Sequence, residues 1–179
     1  MVNDNQALGL IFSRRSIRNF TPEEVSAAEI QALLEAGMAA PSARDRRPWE
    51  FVVVTDAGIR EQLAQTHQFS GVARKAPLVI VVCGHQEVAP HWVQDCSAAT
   101  ENILLAAVGL GLGAVWVGIH PAIVRESHVR QILGLPLGVR PLCLIPIGHP
   151  DEEKQARTRF EAAHVHYERF GQQDPPGAD

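Results

Sequence analysis

The chain is poor in cysteine, with three among 179 residues, Cys83, Cys96 and Cys143, and no Cys-x-x-Cys pair. An odd and widely spaced set argues against a disulfide framework or a zinc knuckle. Cys83 and Cys143 lie in apolar runs and read as buried thiols. A basic excess is missing too. Sixteen Lys and Arg against 20 Asp and Glu leave a net charge of −4, with a pI near 6.0, whereas nucleic-acid-binding domains carry a strong positive surplus. No uninterrupted apolar run is long enough to span a bilayer. The opening Met1-Val2-Asn3-Asp4-Asn5 lacks the basic-then-apolar layout of a signal peptide. These absences predict a cytoplasmic protein with neither nucleic acid nor membrane as partner. The eight histidines show no metal-ligand spacing, so no metal is assigned, and no Ser–His–Asp order has local support.

What is present is an ordinary apolar content of 46%, enough for one compact domain with a sizeable core. The spacing predicts helices from Asn5 to Phe12, over Ile30 to Met38, from Ile59 to Thr66, from Trp92 to Leu110 and from Ile123 to Leu133. Two starts compete for the second helix, Thr21-Pro22-Glu23-Glu24 and the capping box Ser26-Ala27-Ala28-Glu29. Strands are expected at Glu50 to Asp56, Leu78 to Gly84, Ala114 to Val117, and Leu142 to Ile147, the last interrupted by Pro146. Leu78 to Gly84 is apolar throughout, as a central strand buried on both faces would be. On the long helix, Val93, Ser97, Thr100, Leu104, Ala107 and Val108 can line one side. A short helix is expected from Phe160 to Phe170. Strands separated by helices of unequal length, with a proline in the last, fit a mixed sheet in an α+β domain. Residues 1–170 form that single domain, and 171–179 are expected to be a disordered tail.

Two segments carry chemistry. Arg14-Arg15-Ser16-Ile17-Arg18 places three guanidinium forks and a hydroxyl within five residues, a set that can donate to several phosphate oxygens. Ala39 to Trp49 is a loop of small residues, prolines and a tryptophan, ahead of the apolar run Phe51-Val52-Val53-Val54. Such a loop suits a flat ring. Together they point to a phosphorylated aromatic cofactor, for which flavin mononucleotide (FMN) fits best. Gly109-Leu110-Gly111-Leu112-Gly113 lacks Gly-x-Gly-x-x-Gly spacing and follows a helix, so it reads as a helix end rather than a dinucleotide loop. Gly118, after a strand, would let backbone approach a ligand. Trp49 reads as a core aromatic, and Trp92 as a residue of a dimer surface or substrate mouth.

Four blocks in order resemble the nitroreductase-like flavoproteins in their short form. They are Arg14-Arg15-Ser16-Ile17-Arg18-Asn19-Phe20; Ala40-Pro41-Ser42-Ala43-Arg44-Asp45-Arg46-Arg47-Pro48-Trp49; Asn102 to Gly111 continuing to Val115-Trp116-Val117-Gly118; and Ile147-Gly148-His149-Pro150 with Arg157-Thr158-Arg159. The resemblance covers roughly residues 7 to 170. It implies a central, mainly antiparallel mixed sheet flanked by helices, and a homodimer with two FMN molecules at its interface. It implies ping-pong chemistry with NADH or NADPH as donor and an oxidised small molecule as acceptor. By position, Arg14, Arg15, Ser16 and Arg18 hold the phosphate and ribityl chain, with Arg15 also near the ring's pyrimidine end. Pro41, Ser42 and Ala43 cover the ring from the partner subunit. Val117, Gly118 and Ile119 lie near the reactive edge, and Arg157 and Arg159 close over the phosphate.

Two positions depart from the family pattern, Asp45 where Asn is usual and Arg47 where Gln is usual. An ionised Asp accepts hydrogen bonds but cannot donate them to flavin oxygens, so Asp45 either stands as a cofactor-site residue with altered chemistry or pairs with Arg44, Arg46 or Arg47. The same scaffold also carries other chemistry, such as dehalogenation or flavin breakdown, and could serve flavin binding or sensing without turnover. Only Thr66 to Lys75 and Gln86 to His91 leave room for a lid.

Overall fold

The two most apolar runs of the chain become the two central strands of the sheet in the computed structural model, which describes residues 6–173 and 175. They are β2 (Leu78–His85) and β5 (Val139–Gly148), joined antiparallel from Leu78 opposite Ile147 to His85 opposite Val139. On the outer side of β2 lies β1 (Trp49–Val54), also antiparallel. On the outer side of β5 lie two short strands, β3 (Gly113–Ala114) and β4 (Val117–Gly118), both antiparallel to it. A parallel bridge between Ser16 and Ala114 makes the sheet mixed. The expected α+β class with a mixed, mainly antiparallel sheet therefore holds.

Helices cover both faces. They are α1 (Gln6–Ser13), α2 (Ala27–Met38), α3 (Ala57–Ala64), α4 (Trp92–Gly109) and α5 (Ile123–Leu133). The period of two along β2 sends Leu78, Ile80 and Val82 into one core with α2 and α4, and Val79, Val81 and Cys83 into a second that includes Leu63 of α3 and Val129 of α5. That is why this strand carries no polar alternation. The start of α2 is settled at the capping box. The Ser26 hydroxyl accepts the Glu29 N–H at 3.3 Å, and the Glu29 carboxylate accepts the Ser26 N–H at 2.8 Å. Helix α3 begins two residues before the expected start because Asp56 caps it, accepting the Ile59 N–H at 2.8 Å.

Four local expectations are corrected. The last strand is longer than Leu142–Ile147, sits in the centre of the sheet, and runs through Pro141 and Pro146. It tolerates them because a proline still offers its carbonyl, and that of Pro146 accepts the Val115 N–H at 3.2 Å. A register shift lies opposite Val82 and Cys83, at Leu142, whose carbonyl takes the N–H groups of both Ile119 and His120 at 3.0 Å. The strand expected over Ala114–Val117 is divided between β3 and β4 by Val115 and Trp116. The buried face of α4 is Trp92, Asp95, Cys96, Ala99, Thr100, Ile103, Leu104 and Ala107. Val93, Ser97 and Val108 are only partly buried, because a helix apolar around most of its circumference does not announce its inner face. Finally, no helix forms from Phe160 to Phe170. The chain there is irregular, with one short turn at Ala162–His164 and a bent stretch over residues 167–170, and Phe160 and Phe170 are largely exposed. A short helix without a surface to pack on is marginal in water. The tail expected at 171–179 lies largely outside the described residues. Among the described residues, no helix is long and apolar enough to cross a membrane.

Candidate cofactor site

The arginine cluster and the C-terminal basic pair are 140 residues apart in sequence and share one cavity. A clasp of backbone and side-chain bonds brings them together. Phe20 bridges Pro150, Thr21 donates its N–H to His149 at 2.9 Å, and Asp151 donates to Asn19 at 3.0 Å. The Glu152 carboxylate then accepts the N–H groups of Arg18 at 2.5 Å and Asn19 at 3.2 Å. Lys154 reaches the Ser16 carbonyl at 2.6 Å, the Arg15 guanidinium takes the Gln155 carbonyl at 2.8 and 2.6 Å, and Arg157 donates its N–H to Phe12 at 3.1 Å. On its other side the cluster is pinned to the sheet, where Ile17 donates to the Ala114 carbonyl at 3.0 Å. Ile17 packs so closely on Gly113 that a Cβ there would lie 2.6 Å from an Ile17 methyl.

The resulting arginine lobe is a cavity of about 690 Å³ lined by Arg14, Arg15, Ser16, Arg18, Lys154, Arg157 and Arg159 together with Gln155 and Ala156. Among the described residues no carboxylate lines it, although Glu101 pairs with Arg14 at 3.3 Å and Glu152 with Lys154 at 3.2 Å from outside. Crowded cations disfavour one another. The Arg15 guanidinium is held below its ordinary pKa, first by desolvation and then by Arg157, Arg159 and Arg14. Glu152 is held below its usual range mainly by the Arg18 N–H it accepts, which outweighs the opposing effect of desolvation. A cavity with this many converging donors and no internal counter-charge is built for a multiply charged anion such as a phosphate.

Arg18 also lines a second cavity of about 740 Å³. Its walls include Val72, Val115, Trp116, Val117 and Gly118, with His67, Arg74, Lys75 and Arg125 adding nitrogen groups and Phe69 contributing an aromatic ring. Above Gly118 the space is open, since a Cβ added there would meet nothing within 4 Å. This Gly118 lobe has the apolar walls and polar edge that a flat heteroaromatic ring requires. The two lobes, sharing Arg18, fit a molecule with a phosphate at one end and a ring at the other.

The expected site residues thus separate into three groups. Arg14, Arg15, Ser16, Arg18, Arg157 and Arg159 come together at the arginine lobe, and Val117 and Gly118 line the other. Ile119 is a correction: it is fully buried in the core and its N–H is given to Leu142, so it supports Gly118 from behind. Trp92 is another, being a buried residue edge-on to His120 at 4.8 Å. Pro41, Ser42, Ala43 and Asp45 line neither lobe.

The loop that carries these last four residues is strained. Arg44, Asp45 and Arg47 take left-handed backbone angles, with φ of 55°, 53° and 45°, each costing on the order of 1 kcal/mol or more. The Ser42 hydroxyl accepts the Arg47 N–H at 2.9 Å, and Arg46 reaches the Val88 carbonyl at 2.6 Å. Asp95, buried on α4, accepts the Ala43 N–H at 3.0 Å with one oxygen, while its other oxygen is buried without a partner. Asp45 pairs with Arg47 at 2.8 Å, one of the pairings its sequence context allows.

Sequence reasoning missed Lys154, Glu152, His67, Arg74, Lys75, Arg125 and Asp95. Lys154 and Glu152 stand between the two halves of the fourth block and could have been flagged by that position, and His67, Arg74 and Lys75 lie in the Thr66–Lys75 segment named only as room for a lid. Arg125 and Asp95 carry no local signal, because only the tertiary fold places them.

Comparison with known proteins agrees with this fold. The model of the nitroreductase family matches residues 11–67 and 66–149. A protein of Methanothermobacter thermautotrophicus, named for NADH dehydrogenase or NAD(P)H nitroreductase activity, is 39% identical over 94% of this chain and 90% of its own. The solved FMN-dependent nitroreductase of Clostridium difficile superposes with a TM-score of 0.88 at 32% identity, covering 91% of this chain and 99% of that one. The NADPH:FMN oxidoreductase of Vibrio harveyi, solved with NAD+, gives a TM-score of 0.82 at 28% identity over 94% and 79% of the two chains.

Proposed function

The chain belongs to the nitroreductase family, and from that premise we propose that it is an FMN-dependent oxidoreductase that uses NADH or NADPH to reduce a nitroaromatic, quinone or related small acceptor in a ping-pong exchange. The observation that carries the reading is the pair of cavities joined at Arg18, one lined with cations and one walled by Val117 and the open backbone of Gly118. Bound FMN supplies the redox chemistry, passing electrons from the nicotinamide donor to the acceptor.

The residues of the chain then bind, orient and exclude. Arg14, Arg15, Arg18, Arg157 and Arg159 neutralise the phosphate, and the Ser16 hydroxyl adds a donor. Lys154 holds the Ser16 carbonyl and so fixes the cluster's backbone. Val117 and Trp116 keep water from one side of the ring, while Gly118 lets the backbone come close. No side-chain nucleophile is required. The site accommodates one terminal phosphate, and no dinucleotide fingerprint exists for an adenine half, which favours FMN over FAD.

A homodimer completes the reading. The loop at Pro41–Asp45 lines neither lobe of its own chain, yet is held in a costly conformation. In a two-fold dimer it would cover the ring held by the partner. Helix α1 buries none of its residues, and Ile11, Phe12 and Met38 are exposed, leaving apolar surface for a second copy to cover. Residues 1–170 act as one domain, in the cytoplasm.

Heat release of the cofactor followed by chromatography, and anaerobic addition of NADH or NADPH, test the function together. The expected outcome is FMN as the released flavin and bleaching of the bound flavin by at least one donor. FAD as the main flavin would defeat the FMN reading, and no bleaching with either donor would favour a flavin-binding protein without nicotinamide-driven turnover.

A further inference from the structure

The Gly118 lobe holds more positive charge than an oxidised flavin ring calls for. Arg18, Arg74, Lys75 and Arg125 line it, and among the described residues no Asp or Glu does. The phosphate of the cofactor belongs to the arginine lobe, and an oxidised flavin ring carries no formal charge. Arg18 is shared with the phosphate. Arg74 pairs with Glu61 at 3.3 Å, and Lys75 reaches the neutral side chain of Asn19 at 3.4 Å. Arg125 differs from these. It is half-buried, rising from α5 against β4, and it touches the Gly118 carbonyl at 3.5 Å. That contact is at the outer limit of a hydrogen bond and uses one of five guanidinium donors.

His67 neither adds to that positive charge nor offsets it. Its Nδ1 accepts the Phe69 N–H at 3.2 Å, which leaves the proton on Nε2. Burial first, and Arg125 second, push its pKa below the ordinary value, so it stays neutral beside the arginine. Phe69 stands largely exposed at the same cavity and adds an aromatic ring to the lining that Arg125 shares.

We propose that the Gly118 lobe selects a redox partner bearing an anionic group beside a flat ring, and that Arg125 holds that anion. The proposal rests on the FMN reading above. Its chemistry could come from a carboxylate on the acceptor or from the 2′-phosphate of NADPH. Arg125 is the specificity-determining residue in both cases, because its half-burial lets it keep strength that an exposed lysine would lose to water.

The test uses the FMN-loaded protein and reads binding from the perturbation of flavin absorbance, which needs no turnover. 4-Nitrobenzoate is titrated against methyl 4-nitrobenzoate, and NADP+ against NAD+. The charged member of at least one pair should bind about tenfold to a hundredfold tighter, the worth of one charge-assisted hydrogen bond. That ratio should fall towards one in Arg125→Gln, survive in part in Arg125→Lys, and shrink with added salt. Collapse of the nitrobenzoate ratio assigns the anion to the acceptor, and collapse of the NADP+ ratio assigns it to the donor. Equal binding within both pairs, or ratios unchanged in Arg125→Gln, would overturn the proposal. So would weakened FMN affinity in Arg125→Gln with the ratios intact once the variant is saturated with added FMN, which would assign Arg125 to the cofactor itself. Failure of both nicotinamides to bleach the flavin would instead count against the oxidoreductase reading, whatever the binding ratios.

Discussion

The clasp around Arg14–Asn19 and the loop at 41–47 are both expected to meet the same cofactor, yet they are built in opposite ways. The clasp is tied to the rest of its own chain by bonds from Phe12, Ala114, His149, Glu152, Lys154 and Gln155. Its cations are pre-positioned, and little entropy remains to be lost when a phosphate arrives. The loop carries three left-handed non-glycine residues and depends on a few contacts, chief among them Asp95 with the Ala43 N–H. It lines no part of either lobe in its own chain. One region is complete within a single copy, and on the proposed reading the other serves a flavin held by a second copy. Strain of this kind persists where the surroundings over-determine it, and here Asp95 holds the Ala43 N–H, the Ser42 hydroxyl the Arg47 N–H, and the Val88 carbonyl the Arg46 guanidinium.

Dilution offers the sharpest way to break that contrast. If the loop completes the partner's site, sedimentation at falling concentration should show flavin leaving as dimer gives way to monomer. A stable monomer that keeps its FMN would mean that the clasp alone is the site. The next largest effect is expected inside the clasp. Arg18→Ala removes a cation shared by both lobes and should weaken FMN binding by about 1.5–3 kcal/mol. Titration of apoprotein followed by flavin fluorescence measures it, and a solvated surface arginine would give almost no change.

A smaller effect is set by pH. Glu152 has a depressed carboxyl pKa, so its contribution to the clasp is complete above the ordinary value of 4.5 and fades as pH falls through the depressed one. The wild-type protein should hold FMN down to about that pH and then release it more steeply than Glu152→Gln, which has no carboxylate there to lose. Parallel release curves for the two proteins would show that Glu152 does not secure the cluster. The smallest effect belongs to the loop. Because Asp45 is paired with Arg47 and both are well exposed, Asp45→Asn should raise the flavin reduction potential by only about 10–20 mV, the equivalent of an exposed ion pair. Spectroelectrochemical titration decides it. A fall in potential would mean that Asp45 lies elsewhere relative to the ring, and a large rise would mean that Arg47 does not neutralise it.

By itself the sequence determined what depends on neighbours a few residues away. The capping box at Ser26 and Glu29, the continuous apolar strand at Leu78–Gly84, the helix at Ile123–Leu133 and the clustered arginines at 14–18 are all local patterns, and all were legible. The tertiary structure alone decided what depends on distant partners. It placed β5 at the centre of the sheet despite two prolines, because pairing on both sides can use carbonyls where N–H groups are missing. It chose the buried face of α4, where the sequence is too uniformly apolar to choose. It left Phe160–Phe170 without an α-helix, since helical order there had no surface to pack against. It turned Ile119 inwards and brought His67 from the loop after α3 and Arg125 from α5 to Gly118. The chemistry at that cavity is non-local, since a cation becomes selective only when burial, a neighbouring carbonyl and the absence of a counter-ion coincide in space.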